Sequence, residues 1–125
     1  MDINDITYKI RGAIFTVYNE LGPGLLESVY QAALAFELLQ LDLAVTTQVA
    51  LPVNYKDVQL DLGFRLDILV ENKVVIEIKS VEALHDVHKK QLLTYLKLSG
   101  KKVGILINFN TAKIEDKISI VRIIN

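Results

Sequence analysis

The chain has no cysteine, no tryptophan, two histidines, two prolines and one methionine among 125 residues. Without thiols it can form neither disulfides nor a thiolate zinc site. His85 and His88 alone cannot build a histidine-rich metal cage. No apolar run approaches the ~18–20 residues of a membrane span. The opening MDINDITYK lacks the basic and apolar regions of a signal peptide, so a cytoplasmic location is expected. Neither charge sign dominates: 14 Lys and Arg face 15 Asp and Glu, for a net charge of −1. The chain therefore has no global basic footprint for nucleic acid. That counts against a strong stand-alone DNA binder, but not against an enzyme whose acidic site is neutralised by metal as it works. Repeats, low-complexity tracts and linkers are also missing. With 51% hydrophobic and 23% charged residues, residues 1–125 read as one domain able to bury its own core. The apolar lean leaves room for a homodimer interface.

Periodicity supplies the elements. Ile6, Ile10, Ala13, Ile14, Val17 and Leu21 recur at helical spacing, with Asp5 as a candidate cap, and Gly22-Pro23-Gly24 ends that helix. A second helix is expected from about Leu25 to Leu41. It is apolar on most sides, with Leu26, Val29, Ala33 and Phe36 on one stripe and Leu34 and Leu38 on another, and is expected to be buried. The period then changes to two. Val45 to Tyr55 reads as a strand, with Pro52 suggesting an edge, Lys56-Asp57 as a turn, and Val58 to Val70 as the next strand. Val74 to Lys79 completes a meander of three antiparallel strands. A third helix runs from about Asp86 to Ser99 and is capped by Gly100. The run Val103 to Ile107 reads as a strand buried on both faces, and Ile118 to Ile124 as a last strand. The order α-α-β-β-β-α-β-β makes this an α/β layered domain.

The charges inside the meander carry the chemistry. Charged residues rarely sit in a run such as Val74-Val75-Ile76-Glu77-Ile78-Lys79 without a partner. Alternation projects Glu77 and Lys79 from one face. If Glu71, Asn72 and Lys73 all form the loop, Val70 pairs with Val74 and Asp67 falls opposite Glu77, with Cβ atoms roughly 4.5–5.5 Å apart. A two-residue Asn72-Lys73 turn would send the acids to opposite faces. Two carboxylates that close repel, and a bound Mg²⁺ or Mn²⁺ is the usual reason to tolerate them. The competing reading is a structural ion pair of Asp67 or Glu77 with Lys79 or Arg65.

Two further elements join the hairpin. In Gly24-Leu-Leu-Glu27-Ser-Val-Tyr30, Glu27 shares a helical face with Gln31, Leu34 and Leu38. It is either a carboxylate favoured by the helix N-terminus or a third acid directed at the hairpin. In Gln91-Leu-Leu-Thr-Tyr95, Gln91 and Tyr95 share a face one turn after His88. Tyr on such a helix is commonly a core residue with a wet hydroxyl, and His88 by itself reads as a surface histidine.

Taken in order, LGPGLLESVY, FRLDILVENKVVIEIKS, HKKQLLTYLKLSG and VGILINF resemble the GxxExxY family, a small-protein branch of the PD-(D/E)xK, restriction-endonuclease-like nucleases. The resemblance runs from about Tyr18 to Asn110. It implies a restriction-endonuclease-like core, a mixed sheet flanked by helices with the metal site on its central hairpin. The implied activity is Mg²⁺- or Mn²⁺-dependent hydrolysis of nucleic-acid phosphodiesters, with DNA ahead of RNA. The implied metal ligands are Asp67, Glu77 and the Ile78 carbonyl, with Glu27 assisting. Lys79 would orient or help deprotonate the attacking water, Gln91 and Tyr95 would position Lys79 or a phosphate, and Arg65 and His88 would face substrate. Tyr55-Lys56-Asp57 carries a bulkier turn than the Tyr-Lys-Gly expected in that family, away from the site. The alternatives are an interaction module on the same fold whose site is unused or works only in a larger complex, and a small-molecule or sugar-phosphate metal site.

Overall fold

Asp2 starts the first helix: its carboxylate accepts the Asp5 N–H at 2.9 Å, and α1 spans Ile3–Leu21. The cap is thus Asp2, with Asp5 inside the first turn, because a capping side chain must lie outside the helix to reach the free N–H groups. The computed structural model describes residues 1–125. Gly22 closes α1 at φ 66°, donating its N–H to the Tyr18 carbonyl, and Gly24 at φ 99° turns the chain back. Helix α2 follows over Glu27–Gln40. Only its Tyr30, Leu34 and Leu38 stripe is buried, whereas Leu26, Val29, Phe36 and Leu39 stay exposed. The expectation of an all-round buried helix fails because α2 lies on the outside of the sheet, where one face alone meets the core.

The long alternating stretches break where the backbone turns. Leu51-Pro52 separates β1 (Val45–Ala50) from β2 (Val53–Tyr55), and residues 61–64 separate β3 (Val58–Leu60) from β4 (Arg65–Val70). Proline has no N–H to give a ladder, and Gly63 takes φ 78°, so neither stretch can continue as one strand. Strands β2 and β3 form a separate antiparallel hairpin, while β1, β4 and β5 (Val74–Lys79) make the three-stranded antiparallel meander. The chain then crosses through α3 (Asp86–Ser99), closed by Gly100 at φ 70°, to β6 (Val103–Asn108), which runs parallel to β5. An antiparallel β7 (Ile120–Ile124) completes a five-stranded sheet ordered β1-β4-β5-β6-β7. All six residues of β6 are buried, as its unbroken apolar run predicts.

The sheet separates two cores. On one side Ile6, Ile10 and Ile14 of α1 and Leu34 and Leu38 of α2 pack on Ile68, Val70, Val74, Ile76 and Ile78. On the other, Leu92 and Leu96 of α3 pack on Leu69, Val75 and Leu106. Each fully buried leucine contributes about 1.5–3 kcal/mol over its exposed state. Tyr30 stacks on Phe109 at 4.4 Å between ring centroids, and its hydroxyl donates to the Gly22 carbonyl at 2.6 Å. The turn that leads into Glu27 is thereby tied to the core. No helix is long and apolar enough to cross a membrane.

Candidate active site

The hairpin joining β4 to β5 takes the three-residue loop. Val70 pairs with Val74, Leu69 with Val75 and Ile68 with Ile76. Glu71 and Asn72 both adopt positive φ, 53° and 54°, and the Glu71 carboxylate accepts the Ala44 N–H at 2.6 Å. Extending the register by one step sets Asp67 opposite Glu77, and there the backbone ladder ends. One Asp67 oxygen instead accepts the Ile78 N–H at 2.8 Å. Side-chain pairing has replaced backbone pairing at the mouth of the sheet.

Glu77 is 5% exposed, and its Oε2 is buried with no hydrogen-bond partner. Burial first, then the hydrogen bond and charge of Asp67, push its carboxyl up to about 9, against an ordinary value near 4.5. Lys79 opposes that shift and Glu27 adds to it. Two carboxylates this near cannot both ionise cheaply, and the buried Glu77 is the one whose protonated form is favoured. Lys79 lies one alternation further along the same face, and its ammonium donates to Gln91 Oε1 at 3.1 Å. Tyr95, one turn beyond Gln91 on α3, has its hydroxyl pushed up by burial and by the Glu77 and Asp67 carboxylates. Phe64 packs against its ring at 6.3 Å.

Glu27 arrives from the far side, at the N-terminus of α2. Its carboxylate accepts the Ser80 N–H at 3.2 Å, and the Ser80 hydroxyl donates to the Leu25 carbonyl at 2.7 Å. Glu27 therefore grips the backbone next to Lys79. It does not close with Asp67 and Glu77 into a cluster of three acidic side chains around one point. His88 accepts the His85 N–H through Nδ1 at 2.9 Å as part of a capping box that starts α3. Burial and the neighbouring Lys79 and His85 lower its pKa. Arg65 donates to the Phe64 carbonyl at 2.9 Å and lies 3.9 Å from Asp61, turned to the β2–β3 side. The ion pair of Arg65 is thus with Asp61, not with Asp67 or Glu77.

A family model described as the PD-(D/E)XK nuclease superfamily matches residues 4–122, nearly the whole chain. The chain belongs to that superfamily. Its mixed sheet flanked by helices is the restriction-endonuclease-like fold, with the acid of β4 and the Glu-x-Lys of β5 side by side. No curated protein and no solved structure matches the chain. Nucleases of this superfamily generally use divalent metals, and the residues here fit one. Glu77 Oε2 is a buried acceptor without a donor, and hard oxygen donors suit small divalent cations.

Several participants carried no sequence signal. Asn108 is 2% exposed; its side chain donates to the Val81 carbonyl and accepts the Val81 N–H, fastening the chain just beyond Lys79. Gln48 and Gln31 meet at 2.6 Å beside Asp67. A lone Asn or Gln in a strand or helix looks like an ordinary polar residue until pairing of distant strands shows what it faces.

Proposed function

We propose that the protein is a divalent-metal-dependent nuclease, hydrolysing nucleic-acid phosphodiesters with DNA ahead of RNA, within the GxxExxY branch of the superfamily. The observation that carries this reading is the buried, donor-free Oε2 of Glu77 beside Asp67, with Lys79 on the same face. A purely structural acid would have been given a hydrogen-bond donor. The Gly24-x-x-Glu27-x-x-Tyr30 motif and the conjunction of Glu-x-Lys with Gln-x-x-x-Tyr support the branch.

Asp67 and Glu77 would hold Mg²⁺ or Mn²⁺. A strand residue points its N–H and C=O to the same edge. Because the Ile78 N–H is directed at Asp67, its carbonyl faces the same opening and is available as a third oxygen donor. Bound there, the cation would polarise a phosphodiester and acidify water. Lys79, steadied by Gln91, orients the attacking water and offsets negative charge developing on phosphate. Tyr95 holds a proton on its hydroxyl and donates toward the carboxylates or a phosphate oxygen. Glu27 fixes the Ser80 backbone and so the exit of β5. His88, close enough to feel the Lys79 charge, is a candidate phosphate contact, and Arg65 would become one on leaving Asp61. Two sites in a homodimer would serve both strands of a duplex; the apolar residues left exposed on α2 support that arrangement, and sedimentation tests it.

The experiment is a Mg²⁺/Mn²⁺-dependent cleavage assay on single- and double-stranded DNA and RNA, with Lys79→Ala purified in parallel. Cleavage by the wild type that is lost in the variant supports the nuclease and identifies its substrate. Silence with metal bound favours an interaction module on this fold, and silence without metal binding leaves Asp67 and Glu77 a structural pair.

A further inference from the structure

Gln48 lies in the middle of β1, yet its φ is 51°. Its neighbours Thr47 and Val49 pair with Ile68 and Leu66, so the register passes through Gln48 unchanged and sets it opposite Asp67. No residue has been inserted, which rules out a bulge. Both strands nevertheless change faces here. Val45 packs on the α1–α2 core and Val49 on the α3 core, although strand alternation would put residues four apart on one face. On β4, Leu66 belongs to the α3 core while Ile68 and Val70 belong to the other. The left-handed backbone at Gln48 and the turnover at Asp67 are one local twist, placed at the metal carboxylate.

The side chain explains why a non-glycine residue accepts that backbone. Gln48 Nε2 donates to Gln31 Oε1 at 2.6 Å and lies 3.5 Å from Asp67 Oδ1. The amide thus turns its NH₂ group to both acceptors, Gln31 Oε1 and Asp67 Oδ1. Asp67 Oδ2 is already taken by the Ile78 N–H. The two donors, one on each oxygen, set the plane of the carboxylate, and Gln31 on α2 holds Gln48 in place. Backbone strain gathers where surroundings over-determine a functional geometry.

We infer that Gln48 is a positioning residue for the metal site, orienting Asp67 through its amide and anchored by Gln31. The inference rests on the metal-site reading above and names a residue that touches neither substrate nor cation. Mn²⁺ binding by calorimetry and metal-free thermal unfolding test it on the wild type, Gln48→Gly and Gln48→Asn. Glycine adopts φ 51° freely, so Gln48→Gly should keep or raise the metal-free Tm while Mn²⁺ affinity falls by about tenfold. Asparagine tolerates the same backbone and keeps an amide one methylene shorter, so its affinity should fall between the two. An unchanged Mn²⁺ affinity in Gln48→Gly would overturn the assignment alone. So would a fall in Tm and affinity together, since that would make Gln48 a support of β1. A wild type that binds no Mn²⁺ overturns the metal reading, and this inference with it.

Discussion

Strand β5 has two edges that behave differently. Toward β6 all six residues pair, from Val74↔Val103 to Lys79↔Asn108. Toward β4 pairing stops at Ile68↔Ile76, and beyond it a carboxylate takes the Ile78 N–H. The complete edge is apolar from Val74↔Val103 to Ile76↔Ile105, and its unbroken ladder holds the two strands together. The open edge leaves backbone groups and two acids facing each other, and is where the proposed chemistry would take place. A buried backbone N–H released by the ladder must find another partner, and here the Asp67 carboxylate supplies it.

Damage to the two edges should therefore separate function from stability. The largest effect is expected at the open one. Glu77→Ala should lower metal-dependent cleavage by roughly a thousandfold, several kcal/mol of transition-state stabilisation, while circular dichroism shows an intact fold; full activity in the purified variant would sink the assignment. Gly104→Ala strikes the complete edge, since an added Cβ would sit 3.0 Å from the buried Leu92 side chain. Overpacking there should destabilise by about 1–3 kcal/mol, measured by urea unfolding, and the rate per folded molecule in the presence of metal should change far less than in Glu77→Ala. Gln91→Ala releases Lys79 without removing its charge, and a loss of about 10–100-fold is expected, as for groups that orient functional residues. A loss equal to that of Lys79→Ala would mean that Gln91 acts directly.

The remaining effect is one of pH. Glu77 has a folded pKa of about 9 against an ordinary 4.5, so the folded state binds the extra proton. Its contribution to metal-free stability is intact below about 4.5 and lost as pH rises through the window up to about 9. The metal-free Tm should fall across that range, and Glu77→Gln, which mimics the protonated form, should flatten the slope. A cation held by Glu77 would have to displace that proton, so Mn²⁺ affinity should rise with pH over the same window. An affinity independent of pH would show that Glu77 is already ionised.

Much of this was readable before any coordinates. Asp86–Ser99 and its Gly100 cap follow from helical spacing and a residue free to adopt positive φ. The burial of β6 follows from its unbroken apolar run, and of the two loop lengths the sequence left open, the structure takes the three-residue one that pairs Val70 with Val74. The errors have physical causes. Alternation continues through Leu51-Pro52 and Asp61-Leu62-Gly63 whether or not the backbone can stay extended, so two strands were read where there are four. Side-chain polarity on α2 could not show that a single stripe faces the sheet.

The sequence alone determined which segments are helical and which extended, and which residues carry charge within an apolar strand, since these depend on spacing along the chain. Tertiary structure alone decided that Glu77 Oε2 is left without a donor, that Glu27 grips the backbone at Ser80, and that Gln48 stands against Asp67. Burial and hydrogen bonding at those points are set by groups 19 to 53 residues away, and no local periodicity encodes a distance of that kind.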